Sequence, residues 1–264
     1  MKAKEVMVVK CGGSIINQLT PNFFKSLQEL KNNGYDVVLV HGGGPDIQHV
    51  LSALNIQSEF VNGMRKTSKE VLQVVQMVLS GKVNKNLVMM LQKEQISSVG
   101  LSGCDGNLLE AKAIDVASFG YVGEVTKVNQ SLLKSLLDGG YMPVISSLGI
   151  DPNGDCLNIN ADLAAGAVAK ALHAKQLLFV TDVPGILNND TLIQNTTPDE
   201  INDLIDEGII SGGMIPKVKA ALSALSETLH QVHIISGTES FVTDDGDVKG
   251  TSITNNQMNG VMNL

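Results

Sequence analysis

Val37-Val38-Leu39-Val40-His41-Gly42-Gly43-Gly44-Pro45-Asp46-Ile47 is the stretch on which the fold turns. Four consecutive apolar residues, three of them β-branched, read as a strand buried on both faces. The triple glycine ends the run. Pro45 suits the first turn of a helix, where its missing N–H leaves no bond unmade. Ile47, Val50, Leu51 and Leu54 then recur at i, i+3, i+4 and i+7, one helical face. Strand, glycine turn and helix in that order form the repeating unit of an α/β protein. Val6-Met7-Val8-Val9-Lys10-Cys11-Gly12-Gly13-Ser14 opens the chain in the same way, with an apolar run closed by a glycine turn.

Outward from these two units the alternation continues. Further strands are expected at 99–101, 142–146, 177–181 and 232–235, and an extended segment at 121–128. Helices are expected at 22–33, at 68–95 with an interruption near Gly81, and at 130–137, 161–172, 198–207 and 215–225. Pro152-Asn153-Gly154-Asp155, between Ile150 and Cys156, reads as a hairpin turn. The polar stretch 187–199 reads as a lobe connection or mobile loop, and the end of the chain as a polar segment. The pattern predicts a three-layer αβα sandwich with a largely parallel central sheet, in one continuous domain over 1–264. With 43% hydrophobic residues, the chain has ample material for two apolar layers.

Composition removes several classes of function. The net charge is −8, with no Lys/Arg run and no aromatic–basic interleaving, so nucleic acid is not an expected partner. No apolar stretch approaches the roughly 20 residues of a spanning helix, and the opening run is too short for a signal peptide. A cytoplasmic protein with no membrane partner is expected. Cys11, Cys104 and Cys156 stand far apart without a CxxC, so neither disulfides nor zinc are expected, and Cys11 reads as a small space-filler. The five histidines show no metal spacing, and no metal-binding residues are expected.

Ligands of open α/β sheets bind beyond the carboxyl ends of the strands. Both glycine turns lie there. Glycine lets the backbone approach a ligand and aim successive N–H groups at one anion. One such turn alone reads as an ordinary strand-to-helix connection. Two on consecutive strands, one headed by Lys10, favour a phosphate site. The common nucleotide fingerprints are absent. Gly81-Lys82 lacks the upstream glycine and the following Ser/Thr of a P-loop, and the Gly42 turn lacks the last glycine of G-x-G-x-x-G.

Other residues carry two readings each. Lys217 follows Gly212-Gly213-Met214-Ile215-Pro216 in the first turn of a helix, where a cation opposes the helix dipole. It either snorkels to water or meets a bound anion. Asp162, just inside the Ala-rich helix, is either a simple N-terminal charge or a buried carboxylate that needs a lysine. Arg65 reads first as a solvated loop arginine and second as a carboxylate clamp. Thr181-Asp182-Val183-Pro184-Gly185-Ile186 is another ligand-edge loop. His41 reads as a structural histidine.

Taken in order, Lys10-Cys11-Gly12-Gly13, His41-Gly42-Gly43-Gly44-Pro45, Asn62-Gly63-Met64-Arg65 and Gly100-Leu101-Ser102-Gly103 resemble the amino-acid kinase superfamily, and within it the N-acetylglutamate kinase branch. Asn158-Ile159-Asn160-Ala161-Asp162, Thr181-Asp182-Val183-Pro184-Gly185 and Gly213-Met214-Ile215-Pro216-Lys217 complete the series. Each motif is short; their joint order is specific and spans nearly the whole chain. Cys11 departs from the pattern, standing where a larger apolar residue is expected.

The resemblance implies transfer of phosphate from ATP, with Mg2+, to the γ-carboxylate of N-acetyl-L-glutamate, in arginine biosynthesis. It implies Lys10 and Lys217 on the transferring phosphoryl group, and Asp162 holding both lysines. Gly12, Gly13, Gly43 and Gly44 would contact the phosphoryl group or acceptor, and Arg65 and Asn158 the acceptor. Thr181, Asp182, Gly185, Ile186, Leu187 and Ile209 would hold the nucleotide. It further implies an acceptor and dimerisation lobe over 1–175 and a nucleotide lobe over 176–264. Arginine-inhibited relatives carry an extra N-terminal helix. Only five residues precede the first strand here, so an arginine-insensitive homodimer is expected. A kinase for carrier-linked aminoadipate and a non-catalytic sensor on the same fold remain as alternatives.

Overall fold

The computed structural model describes residues 4–61 and 63–255. Asn62, the first three residues of the chain and the end of the polar C-terminal segment lie outside the described residues.

Eight strands form the main sheet. In chain order they are β1 (Val6–Cys11), β2 (Asp36–His41), β3 (Ser98–Ser102), β4 (Met142–Ser146), β5 (Gln176–Thr181), β6 (Asn195–Thr196), β7 (Gln231–Ser236) and β8 (Thr251–Thr254). Their spatial order is β6-β8-β7-β5-β1-β2-β4-β3. Every neighbouring pair is parallel except β7–β8. β1 and β2 are therefore central, which is why their sequences are apolar on both faces. Alternation along them builds two separate cores. Val9 and Leu39 join Phe23, Leu27 and Val75 on one side. Val8, Val38 and Val40 join Ile145, Ala165 and Val168 on the other. The three-layer αβα sandwich follows directly.

Outside this sheet, four strands form a separate unit. Leu109–Ala113, Val122–Val128, Leu148–Ile150 and Cys156–Ile159 close on one another in a small barrel. The extended reading of 121–128 and the turn before Cys156 anticipated parts of it; the strand at Leu109–Ala113, only five residues long and two of them charged, gave no apolar run to find. The stretch 187–199 is not a loose connection. Leu187–Asn188 pairs with Thr191–Leu192, and β6 joins the main sheet beside β8. Gly81 does not break its helix either. Lys69–Gln76 and Asn84–Lys93 are joined through a π-helical segment, Met77–Val83. No helix among the described residues is long and apolar enough to cross a membrane.

Two histidines are locked in these layers. His41 is fully buried at the end of β2. Its Nδ1–H donates to Gly42 O (2.9 Å), and its Nε2 accepts from the Asn84 amide (3.1 Å). His233 on β7 is buried with neither ring nitrogen hydrogen-bonded. Burial lowers both pKa values to about 4. The unfolded chain binds those protons near pH 6.5 and the folded chain only near 4, so the unfolded state holds more protons throughout that window. Stability must fall as pH drops from about 6.5 to 4, by on the order of 3 kcal/mol per histidine. Urea unfolding at pH 7 and pH 4.5 measures this. His233→Leu should flatten the dependence, and an unchanged slope in that variant would remove His233 from the account.

Candidate active site

The two glycine turns meet at the carboxyl ends of β1 and β2. Gly13 begins the short helix Gly13–Ile16, and Gly44 begins the helix Gly44–Ala53. A Cβ on Gly13 would lie 2.6 Å from Gly44 N and 2.8 Å from Gly43 Cα. The contact is backbone on backbone and cannot be relieved by a rotamer change. On its other side Gly43 is pressed by the π segment: a Cβ there would lie 2.7 Å from Leu79 Cδ2. Glycine is thus required at 13 by the approach of another backbone, whereas a Cβ at 43 would have to displace the Leu79 side chain, and the space next to Gly44 is open.

Lys10 leaves β1 beside the helix Ala161–Ala171. Asn160 caps that helix, its side-chain oxygen accepting from Asp162 N (2.8 Å) and Leu163 N (3.2 Å). The cap orients the first turn so that Asp162 Oδ1 lies 2.7 Å from Lys10 Nζ. That oxygen is buried and makes no aligned hydrogen bond. It is balanced by the charge of the ammonium. Cys11, beneath, is wholly buried, and burial pushes its thiol up to about 12. It fills space and is chemically inert.

A cavity of about 200 Å³ opens here, lined by Lys10, the glycine turns, Arg65, Asn158 and Asp162. Arg65 is not solvated. It is 6% exposed. Its Nη1 donates to Gln48 Oε1 (2.8 Å) and Ser58 Oγ (2.7 Å), its Nη2 donates to Gly44 O (3.2 Å), and its guanidinium lies over the Phe60 ring at 4.5 Å. Among the described residues no carboxylate pairs with it. Burial lowers its pKa, but a guanidinium stays charged at any ordinary pH. A buried cation held by neutral acceptors calls for an anion. Asn158 is set against it through Thr67: the Asn158 amide donates to Thr67 Oγ1 (3.0 Å), which donates to Arg65 O (2.7 Å).

A second cavity, of about 130 Å³, lies on the other side of the same lysine. Lys10, Gly12 and Asp162 line it together with Ser14, Thr181 and Lys217. Here one expectation needs correction. Asp162 does not hold both lysines. Lys217 Nζ donates to Thr181 Oγ1 (2.5 Å) and to Asp182 Oδ1 (2.6 Å). The lysine hydrogen bond, then that of Thr181, takes the Asp182 carboxyl down to about 2. The pair is open to solvent, with side chains 36% and 59% exposed. Exposed pairs contribute roughly 0–1 kcal/mol, so a multiply charged anion can draw Lys217 away.

Gly185, Ile186, Leu187 and Ile209 line neither cavity. Ile186 is buried, its N–H donates to Thr251 Oγ1 (2.8 Å), and its carbonyl accepts from Ile193 N (2.9 Å). It anchors its loop from beneath and has no free backbone group to offer. Gln48, Ser58, Phe60 and Thr67 escaped the sequence reading. One signal was available: Asn62-Gly63 between Phe60-Val61 and Met64-Arg65 is the dipeptide most typical of a two-residue hairpin. Val61 pairs with Met64 and Phe60 with Arg65, and that register brings the ring to the guanidinium. Among the described residues no group of three or more His, Cys, Asp and Glu side chains is placed to hold a metal ion.

The chain is similar to known proteins over most of its length. The model of the amino acid kinase family matches residues 5–236. The acetylglutamate kinase of Geobacillus sp. (strain WCH70) is 56% identical over 251 residues, covering 95% of this chain and 97% of that one. The acetylglutamate kinase of Geobacillus kaustophilus (strain HTA426) is 57% identical over 249 residues, covering 94% and 96%. Among solved structures, smu.665 from Streptococcus mutans UA159 superposes with a TM-score of 0.82 at 33% identity, over 96% of this chain and 99% of that one.

The contact between the two turns yields a direct test. Gly13→Ala must push two backbone segments apart and should cost roughly 1–3 kcal/mol, the usual range for overpacking. Gly44→Ala, with open space beside it, should leave the melting temperature nearly unchanged. Thermal melts of the two variants check this; equal losses would show that the contact is not what requires glycine.

Proposed function

This chain belongs to the amino acid kinase family, and we propose that it transfers the γ-phosphoryl group of ATP to the γ-carboxylate of N-acetyl-L-glutamate, giving N-acetylglutamyl 5-phosphate and ADP. The observation that carries this reading is the wall of Lys10, Gly12 and Asp162 shared by two cavities. One cavity offers a buried guanidinium without a counter-charge. The other offers a lysine at a helix start. A carboxylate acceptor fits the first and a polyphosphate the second, and the group in flight passes between them beside Lys10. The acceptor side is proposed for 1–175 and the nucleotide side for 176–264.

The chemistry needs no base. A side-chain carboxyl with a pKa of about 4.3 is already ionised at neutral pH and can attack as it stands. The obstacle is repulsion between two anions and their alignment in line. Arg65 and Asn158 fix the acceptor. Lys10, the amides of Gly13, Gly43 and Gly44, and Lys217 once drawn from Asp182 take up charge on the phosphoryl oxygens. Asp162 keeps Lys10 in place. Mg2+ would be carried by the nucleotide's own phosphates and would supply neutralisation of part of their charge. Thr181, Asp182 and the loop through Gly185 and Leu187 bound the nucleotide side, with Ile209 on the approach to the Lys217 helix. The proposed assembly is a cytoplasmic homodimer, and a monomer mass by light scattering would remove the dimer.

ADP release with Mg-ATP and N-acetylglutamate, against glutamate, aspartate, carbamate and carrier-linked aminoadipate, tests the acceptor. Faster turnover with any of the others would overturn the assignment, and no turnover at all would favour a sensor. Lys217→Ala should lower kcat by about 10²–10³, the loss typical of one charge-stabilising donor, with little change in acceptor KM. Equal loss in both would mark ground-state binding instead. Arg65→Ala should raise acceptor KM by about ten- to a hundredfold, as expected for losing a charged hydrogen bond, and an unchanged KM would take Arg65 out of the acceptor site.

A further inference from the structure

Cys104 and Cys156 are 52 positions apart in the sequence and adjacent in space. Cys104 lies in the turn after β3. Cys156 opens the strand Cys156–Ile159 of the small barrel. Cys104 Sγ lies 3.5 Å from Cys156 Sγ and 3.3 Å from Gly149 O on the neighbouring strand, and its one S–H can donate to either. Both thiols are free and only partly buried. Spacing in the sequence gave no hint of the pair, because the barrel that assembles it was not legible there. We propose that Cys104 and Cys156 are a peroxide-sensitive dithiol that closes reversibly to an intramolecular disulfide.

The two sulfurs have unequal roles. When Cys104 donates to Cys156, that hydrogen bond lowers the Cys156 pKa and raises that of Cys104, which burial also holds up. Thiolate character therefore falls on Cys156. Its sulfur attacks hydrogen peroxide: an S–O bond forms, the O–O bond breaks, and the departing hydroxide takes a proton to become water. Cys156 is now a sulfenic acid. Cys104, in contact, gives up its proton as its sulfur attacks Cys156. The S–S bond forms, the S–O bond breaks, and the leaving hydroxide carries that proton away as a second water. Two thiols are oxidised and one peroxide is reduced to two waters. Closing the gap from 3.5 Å to a bonded distance brings the two sulfurs about 1.5 Å closer. The oxidised form would tie that turn to the strand carrying Asn158, which lies two residues on and on the same strand face as Cys156.

Cys11 is a built-in control. It is wholly buried, and burial holds its thiol protonated. The folded full-length chain is treated with hydrogen peroxide, then denatured, blocked with N-ethylmaleimide, digested and mapped by mass spectrometry. The expected result is loss of two of the three alkylatable thiols, one peptide pair joined through Cys104 and Cys156, and recovery of both on dithiothreitol treatment. In Cys156→Ser, and separately in Cys104→Ser, no joined pair forms and nothing restores a disulfide. Independent conversion of each cysteine to sulfinic acid, or untouched thiols at both positions, would overturn the proposal. The readout is mass alone, so it is independent of which acceptor the enzyme phosphorylates.

Discussion

The ion pair between Lys10 and Asp162 is where the structure's separate requirements converge. It joins the carboxyl end of the central strand to the first turn of the helix Ala161–Ala171. The helix can approach β1 closely because Ala164, Ala165, Val168 and Ala169 face the sheet, all fully buried and small. Larger side chains there would lift the helix off the sheet and carry Asp162 away from the lysine. The Asn160 cap sets the angle of the first turn. The acidic residue also complements the helix N-terminus. One charge contact therefore depends on a packing choice along the whole helix, and it stands on the wall common to both cavities.

How far the sequence reached differs between the two parts of the site. The main sheet was legible because β1, β2, β4, β5 and β7 are buried on both faces, and such strands read as unbroken apolar runs. The glycine turns and Lys10 were legible because they follow those runs directly. The small barrel was not. Two of its strands are only three and four residues long, and another, Leu109–Ala113, alternates with charge. The environment of Arg65 was hidden as well, because its partners come from the helix Gly44–Ala53 and the hairpin segment around it. A lone arginine after a turn looks solvated, and only the fold buries it between Gln48, Ser58 and the Phe60 ring. The partner of Lys217 was illegible for a different reason. Asp162 and Asp182 are both acidic residues at strand or helix ends, and nothing in their spacing says which one the lysine reaches.

The π segment Met77–Val83 shows how a local irregularity serves the turns. Such segments cost hydrogen-bond geometry and tend to persist where they place a side chain. Here Leu79 and Val83 are pressed against Gly43, closing the cavity from one side. Lys82 of the same segment lies 2.7 Å from Asp46 in the helix that Gly44 begins. The second glycine turn is thereby held on three sides: by the first turn, by the apolar residues of the π segment, and by an ion pair across its helix.

The division of cations in the proposed reaction follows from their shapes. Arg65 presents a planar fork that stays charged when buried, so it suits a carboxylate that must be held in one orientation through the whole reaction. Its fixed neutral partners hold the fork and leave its charge for the ligand. The phosphoryl group changes shape and charge distribution as it moves, and a compact ammonium on a flexible stem can follow it. Lys10 and Lys217 have that freedom in different degrees: one is set beside a part-buried aspartate, the other paired at the surface where the pairing contributes little. His41, the nearest histidine in sequence to the turns, is excluded from proton transfer by geometry. Both ring nitrogens are committed, to Gly42 O and to Asn84, and burial keeps the ring neutral. A site that acts on an already ionised nucleophile requires no group to receive a proton, and the carboxylate beside the proposed transfer path, Asp162, is engaged by Lys10.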